Sequence, residues 1–306
     1  MKTLVYLEKA AVRGGIEIFA ERHAARLRAA GRDVTVSSSA EGADSFDEII
    51  VHKCTDAAVL ESLPAEKTVF YVHDHEPICP RGCAYTPLKH NCLRPGGLWP
   101  CLLCAPARRD WKGALARVFA QKRMKRAIAR FRKIAVISNF MKSRLAANGF
   151  DPRKISVERP LVEVRPPEGT APDDVDILYA GQLVRGKGVH LLLRALALIP
   201  PDRTLDVVGS GNMEASLKSL ARQLGLDGRV RWRGFRDNPH DWMRAARCVA
   251  VPSFWQEPFG LVAAEAVALG RRVVAFATGG IPEACGGKAV LVPPGDVAAF
   301  AKALDC

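Results

Sequence analysis

Short runs of apolar and β-branched residues alternate along the chain with longer stretches whose apolar positions recur at helical spacing. In the first half, runs at 3–7, 33–38, 48–53, 68–74, 133–139 and 154–159 predict strands, with helices at about 15–30, 111–132 and 140–148. In the second half the predicted strands are 176–181, 204–210, 229–235, 248–253, 272–278 and 289–295. Helices are predicted there near 187–199, 212–225, 238–246, 259–269 and 296–304. Strands separated by helices mean βαβ units and parallel sheets covered on both faces. The segment 165–176, RPPEGTAPDDVD, has a linker's composition. The expected architecture is α/β, with two doubly wound domains, 1–165 and 166–306, facing a cleft. In such sheets ligands bind beyond the carboxyl ends of the strands.

Composition narrows the picture. The chain has 306 residues, enough for two domains, and a globular share of apolar and charged residues. No apolar run reaches the roughly 20 residues that span a bilayer. The opening MKTLVYLEK has its short apolar run cut by Glu8 and Lys9, which reads as a first strand and not a secretory signal. The expectation is a cytoplasmic protein. A net charge of +13 points to polyanionic company: nucleotides, phosphates, nucleic acid or an acidic membrane. Nine cysteines, an odd number without a leader, argue against a disulfide framework.

Glycine-rich turns stand at several predicted strand ends. Gly14 and Gly15 follow the first strand, and Gly181, Gly186 and Gly188 surround Arg185 and Lys187. Gly209-Ser210-Gly211 makes a further turn of this kind. Each such turn is either a plain connection or a place where backbone comes close to a ligand. The last one lacks the third glycine of a dinucleotide fingerprint, since position 214 is Glu214, which weakens an oxidoreductase reading. The stretch WQEPFGLVAAEAVALG, 255–270, has Pro258 suited to a first helical position and Gly270 suited to the residue past the end. Unpaired N–H groups at a helix start favour anions, yet Glu257 and Glu265 flank this one.

The ordered set EPFGLVAAEA, AGQLVRGKGVHLLLRA, DVVGSG, RVRWRGF and ATGGIPE resembles the retaining "group 1" (family 4-like) glycosyltransferases, strongly over 176–295. Over 1–160 the likeness is weaker, through RGGIE, VHD and VISNFMKSRL. The resemblance implies two Rossmann-like domains in the GT-B fold, the first on the acceptor side and the second binding a nucleotide-sugar. It implies that N–H groups near Phe259, Gly260 and Leu261 hold the donor diphosphate, that Glu265 takes the ribose hydroxyls and that Glu257 takes the transferred hexose. Lys187 matches the diphosphate lysine, His73 contacts the sugar near the reacting carbon, and Gly15 lies near the donor phosphates and the acceptor. Gly209 and Gly211 complete the donor-side turns. Many members carry arginine just after the glycine at 181; here it is Gln182, uncharged, with Arg185 the candidate cation to stand in. The family transfers a hexose with retention, without a metal in the chemistry. Its acceptors include glycans and lipid-linked sugars of cell-surface polysaccharide and lipopolysaccharide synthesis. Its final helix normally crosses back to the first domain, and that helix is expected to be missing or shortened here.

Two features fall outside those motifs. The loop 79–104 holds Cys79, Cys83, Cys92, Cys101 and Cys104 with His90. Its spacing suits a structural zinc on Cys79, Cys92, Cys101 and Cys104, with Cys83 or His90 as substitutes; free thiols and disulfides are the other readings. Residues 108–133 carry eleven Lys/Arg and one Asp, with Trp111, Leu115, Val118, Phe119, Ile128 and Phe131 at helical spacing. Such a helix either lies on an anionic membrane or packs its apolar face into the core beneath a solvated basic face. Two other function classes compete. A nucleic-acid-binding protein would use the charge but leave the Glu-flanked helix idle, and a catalytically silent relative would bind a nucleotide or a partner.

Overall fold

A computed structural model describes the chain except for residues 9–14, 87–90, 93, 97–100, 102–103, 105–110, 170, 172–173 and 306. The chain divides into two compact units, Met1–Pro160 and Leu161–Cys306. Each is built on a parallel six-stranded sheet. This is the two-domain α/β fold expected from the alternating pattern.

The first unit contains β1 (Lys2–Leu7), α1 (Gly15–Ala29), β2 (Asp33–Ser37), β3 (Glu48–Lys53), α2 (Ala57–Ser62) and β4 (Thr68–Val72). It continues with α3 (Trp111–Arg130), β5 (Lys133–Val136), α4 (Asn139–Ala147) and β6 (Ile155–Val157). The strand order is β2-β1-β3-β4-β5-β6. The direction of winding reverses between β1 and β3, so the switch point lies there. All five residues of β4, TVFYV, are buried, as a central parallel strand with both faces covered requires. Asp56 caps α2 by accepting from the Ala58 N–H, and Ser138 caps α4 by accepting from the Met141 N–H.

The second unit contains β7 (Ile177–Ala180), α5 (Val189–Leu196), β8 (Leu205–Val208), α6 (Glu214–Gln223), β9 (Val230–Gly234) and α7 (Pro239–Ala245). β10 (Cys248–Val251), α8 (Leu261–Ala268), β11 (Arg272–Phe276), α9 (Ile281–Cys285), β12 (Val290–Val292) and α10 (Val297–Asp305) complete it. Its strand order, β12-β11-β10-β7-β8-β9, places the switch point between β7 and β10. Alternation along β7 feeds two cores. Ile177 and Tyr179 face Leu192, Leu196 and Phe300, while Leu178 and Ala180 share the other core with Trp242, Ala263 and Ile281. Asp206 on β8 is a fully buried charge of this unit, bound by Arg231 at 2.6 Å and Arg233 at 2.7 Å, both from β9.

Three of the boundaries that differ from expectation bear on the site. β4 stops at Val72, which leaves His73 and Asp74 beyond the strand end. α5 begins at Val189 because Gly188 takes a left-handed conformation, φ +75°. α8 begins at Leu261, so Pro258 is not its first residue. The Gly279-Gly280 turn backs directly onto 257–259: the Gly280 N–H donates to the Glu257 carbonyl at 2.7 Å, and a Cβ on Gly279 would lie 2.2 Å from that oxygen. Held this way, 257–259 stays outside the helix, which starts after Gly260, at φ +111°.

Candidate active site

In the second unit the loops after β7 and β10 meet at the switch point. They touch backbone to backbone: a Cβ on Gly188 would come within 1.8 Å of the Pro252 carbonyl oxygen, and one on Gly186 within 2.4 Å of the Trp255 ring. The Gly186 carbonyl accepts from the Phe254 N–H at 3.1 Å and the Trp255 N–H at 3.3 Å. This crossing brings Lys187 and Glu257 together. The Lys187 ammonium donates to Glu257 Oε1 at 2.6 Å, the Trp255 indole N–H donates to the same oxygen at 2.9 Å, and the lysine lies 5.6 Å from the centre of the Trp255 ring. Glu257 is only 8% exposed. Burial alone would raise its pKa, but the Lys187 charge and the bonds from Lys187, Trp255 and Ser253 outweigh it and hold the carboxyl below its ordinary value.

Glu265 lies on α8, and its carboxylate is 3.5 Å from His240 Nε2. The Arg165 N–H donates to His240 Nδ1 at 2.9 Å, so the proton of a neutral His240 ring belongs on Nε2, facing Glu265. Gly260 caps α8 without a side-chain cap; Phe259 beside it is buried, and Leu261 is 38% exposed. Gln182 and Arg185 are exposed. The carbonyl of Gln182, not its side chain, is engaged, accepting from the Tyr179 hydroxyl at 2.7 Å. Gly209 and Gly211 sit where the β8 loop crosses the β7 loop. A Cβ on Gly209 would meet the Gly181 carbonyl at 1.8 Å, and one on Gly211 the Leu183 carbonyl at 2.5 Å. Loop-to-loop packing therefore already demands glycine at both positions.

In the first unit, Gly15 opens α1 and is exposed, and the residues before it fall outside the described ones. His73 joins two histidines that the sequence motifs did not single out. His52 Nδ1 lies 3.0 Å from His73 Nε2, and His52 Nε2 lies 3.0 Å from His23 Nδ1. Burial lowers all three, His73 to about 3, so each ring is neutral at physiological pH. Just beyond, the Asp74 carboxylate accepts from the Glu76 N–H at 2.8 Å. Burial, then the Asp74 charge, push Glu76 up to about 7, and burial likewise raises Asp74.

The Cys-rich loop holds five half-buried cysteines: Cys79, Cys83, Cys92, Cys101 and Cys104. Among the described residues no three His, Cys, Asp or Glu side chains are placed to hold a metal ion. Cys101 packs on Ala114 and Val118 of α3, and His90 lies outside the described residues. Helix α3 divides its apolar residues: Val118 and Ile128 are buried, as is Phe131 just past its end, while Leu115 is 42% and Phe119 56% exposed. Part of its basic face works internally, since Arg123 binds Glu61 and Arg130 donates to the carbonyls of Leu60, Glu61 and Leu63. No helix among the described residues is long and apolar enough to cross a membrane.

Residues 174–306 match the family model described as Glycosyl transferases group 1, and this part of the chain is a domain of that family. The D-inositol 3-phosphate glycosyltransferase of Streptomyces scabiei is 37% identical over 182 residues, which cover 50% of this chain and 41% of that protein. The chain thus spans about two fifths of the length of the curated relatives it matches. Anabaena HepE, solved in complex with UDP-glucose, superposes with TM-score 0.69 at 20% identity, covering 99% of this chain and 88% of that one. WaaG, a glycosyltransferase involved in lipopolysaccharide biosynthesis, gives TM-score 0.68 at 16% identity, covering 100% and 90%. At these identities the likeness is one of fold, and the fold is that of the GT-B glycosyltransferases.

The raised Glu76 carries a pH signature. The folded protein keeps a proton up to about pH 7 that the unfolded chain releases near the ordinary carboxyl value, so stability falls as pH rises between the two. Replacing Glu76 by Gln should stabilise the first unit at pH 8 and change it little at pH 5, read from unfolding midpoints. An equal shift at both pH values would contradict the assignment.

Proposed function

We propose that this chain is a retaining hexosyltransferase that takes its sugar from a UDP- or GDP-hexose and passes it to a glycan or lipid-linked acceptor, in cell-surface polysaccharide or lipopolysaccharide synthesis. The observation that carries this reading is the meeting of Lys187 and Glu257 at the switch point of the second unit, with Glu265 on α8, the helix that starts just after Glu257. The donor has a diphosphate between two groups of sugar hydroxyls. Lys187 and the N–H groups at the start of α8, near Phe259, Gly260 and Leu261, take the diphosphate. Glu265 accepts from the ribose hydroxyls and Glu257 from the hexose. Donor entry then parts the ion pair, handing the ammonium to the phosphates and the carboxylate to the sugar.

In the reaction the bond from the hexose anomeric carbon to the diphosphate oxygen breaks. The acceptor oxygen bonds to that carbon on the same face, and its proton passes to the departing phosphate oxygen. Lys187 and the helix start neutralise the growing charge, with Arg185 as a further cation, so the chemistry calls on no metal ion. His73 presents a neutral imidazole to the sugar near the reacting carbon. The first unit serves the acceptor. We further assign the protein to the cytoplasmic face of an anionic membrane, on the strength of exposed Leu115 and Phe119 beside Lys112 and Arg126 on α3.

A nucleotide-sugar panel tests the reading. Calorimetry should find one UDP- or GDP-sugar bound by the wild-type protein. Glu265→Gln should weaken it by about tenfold or more, the scale of a hydrogen bond to a charged group. Glu257→Gln should chiefly lower transfer and hydrolysis. Equal binding by all three proteins refutes the assignment, and binding without turnover marks a silent relative. In the same preparation, flotation with vesicles should require acidic lipid; protein left unbound at low salt contradicts the membrane assignment.

A further inference from the structure

The three histidines of the first unit come from three elements: His23 from α1, His52 from the end of β3, and His73 from just past β4. They are linked nitrogen to nitrogen, 3.0 Å at each junction. The chain is clamped by aromatic rings. Phe19 stands edge-on to His23, His52 and His73, at centroid distances of 6.3, 5.5 and 4.9 Å. Tyr71 lies 5.0 Å from His23 and 4.7 Å from His52. Tyr71 is itself tied through its hydroxyl to Glu158, which pairs with Lys133 at 2.6 Å. His52, in the middle, is 2% exposed. Arg26, Arg32, Glu48 and Glu158 act on His23 and Arg26 on His52 as well, while Lys53 follows His52 and Asp74 follows His73 along the backbone.

A neutral imidazole has one N–H donor and one acceptor nitrogen. Three neutral rings joined in series must therefore all point their hydrogen bonds the same way. If His23 donates from Nδ1, then His52 donates from Nδ1 to His73 Nε2, and His73 carries its proton on Nδ1. If His73 donates from Nε2, then His52 does so too, and His23 carries its proton on Nε2. All three rings share one tautomer in either state. Passing between the states moves one proton end to end: a proton arrives at His23 Nε2, each junction hydrogen crosses to the next ring, and one leaves from His73 Nδ1.

We propose that His23 and His52 are positioning residues that set the tautomer of His73, and so decide whether its outer nitrogen donates to or accepts from a bound sugar. This inference rests on the transferase reading only for its consequence in the reaction; the coupling belongs to the chain of rings itself. It also accounts for a buried histidine at 52 and a histidine at 23 facing the sheet from α1.

The test uses the full chain labelled with nitrogen-15 at histidine, read by two-bond proton–nitrogen correlation at pH 7. His23, His52 and His73 should report the same tautomer populations. His23→Phe keeps a ring between Phe19 and Tyr71 and does not touch His73, yet should change the tautomer populations of His73. His52→Gln keeps one donor and one acceptor but cannot switch by proton transfer, and should pin His73 in a single tautomer. Unequal populations among the three wild-type rings, or a His73 spectrum indifferent to both variants, overturns the coupling. With an active donor, His23→Phe should lower kcat by about tenfold or more, with donor Kd unchanged. An unchanged kcat overturns the positioning role. A wild type that transfers from no donor defeats the transferase reading instead, and leaves the spectra to decide the coupling.

Discussion

The ion pair of Lys187 and Glu257 is the constraint around which the second unit is arranged. It exists because two loops cross at the one place where the strand order of the sheet reverses, and they cross so closely that Gly186 and Gly188 have no room for a side chain. A carboxylate that is 8% exposed needs a cation and hydrogen-bond donors, and here a lysine and an indole N–H converge on the same oxygen. The turn at Gly279 and Gly280 grips the backbone of Glu257 from the other side, so the acid is held by its main chain as well. Charge is thus stored at the strand ends in a form that an anionic, hydroxyl-rich ligand can exchange for its own contacts.

The first unit handles its polar groups differently. Its imidazoles are neutral and satisfy one another in series, while the Asp74 charge adds to burial in disfavouring the charge of Glu76. Proton position therefore matters more here, and fixed charge matters more in the second unit.

Much of this was legible in the sequence, for physical reasons. Parallel strands buried on both faces leave unbroken apolar runs such as TVFYV, and helices crossing back leave a 3.6-residue rhythm. Gly270 ends its helix in a left-handed conformation as its position suggested. Pro258 misled because the Gly279-Gly280 turn, distant in sequence, keeps 257–259 out of the helix. The partners of His73 were hidden because His23 and His52 reach it only through sheet pairing and helix packing, which no spacing rule reads; a second strand ending in histidine, EIIVHK beside TVFYVHD, was the available signal. The apolar residues of 111–131 were countable, but the pattern did not divide Val118, turned inward, from Phe119, turned out. In the cysteine loop, spacing could not foresee that Cys101 would pack on Ala114 and Val118.

A double-mutant cycle on Lys187 and Glu257, followed by denaturant unfolding of the second unit at pH 7, tests the account most directly. Lys187→Met and Glu257→Gln should each cost about 2 kcal/mol or more, and the double variant should cost no more than the worse single, a coupling of about 2 kcal/mol or more. Costs that simply add would mean that the two side chains do not act as a unit, and would contradict the central claim.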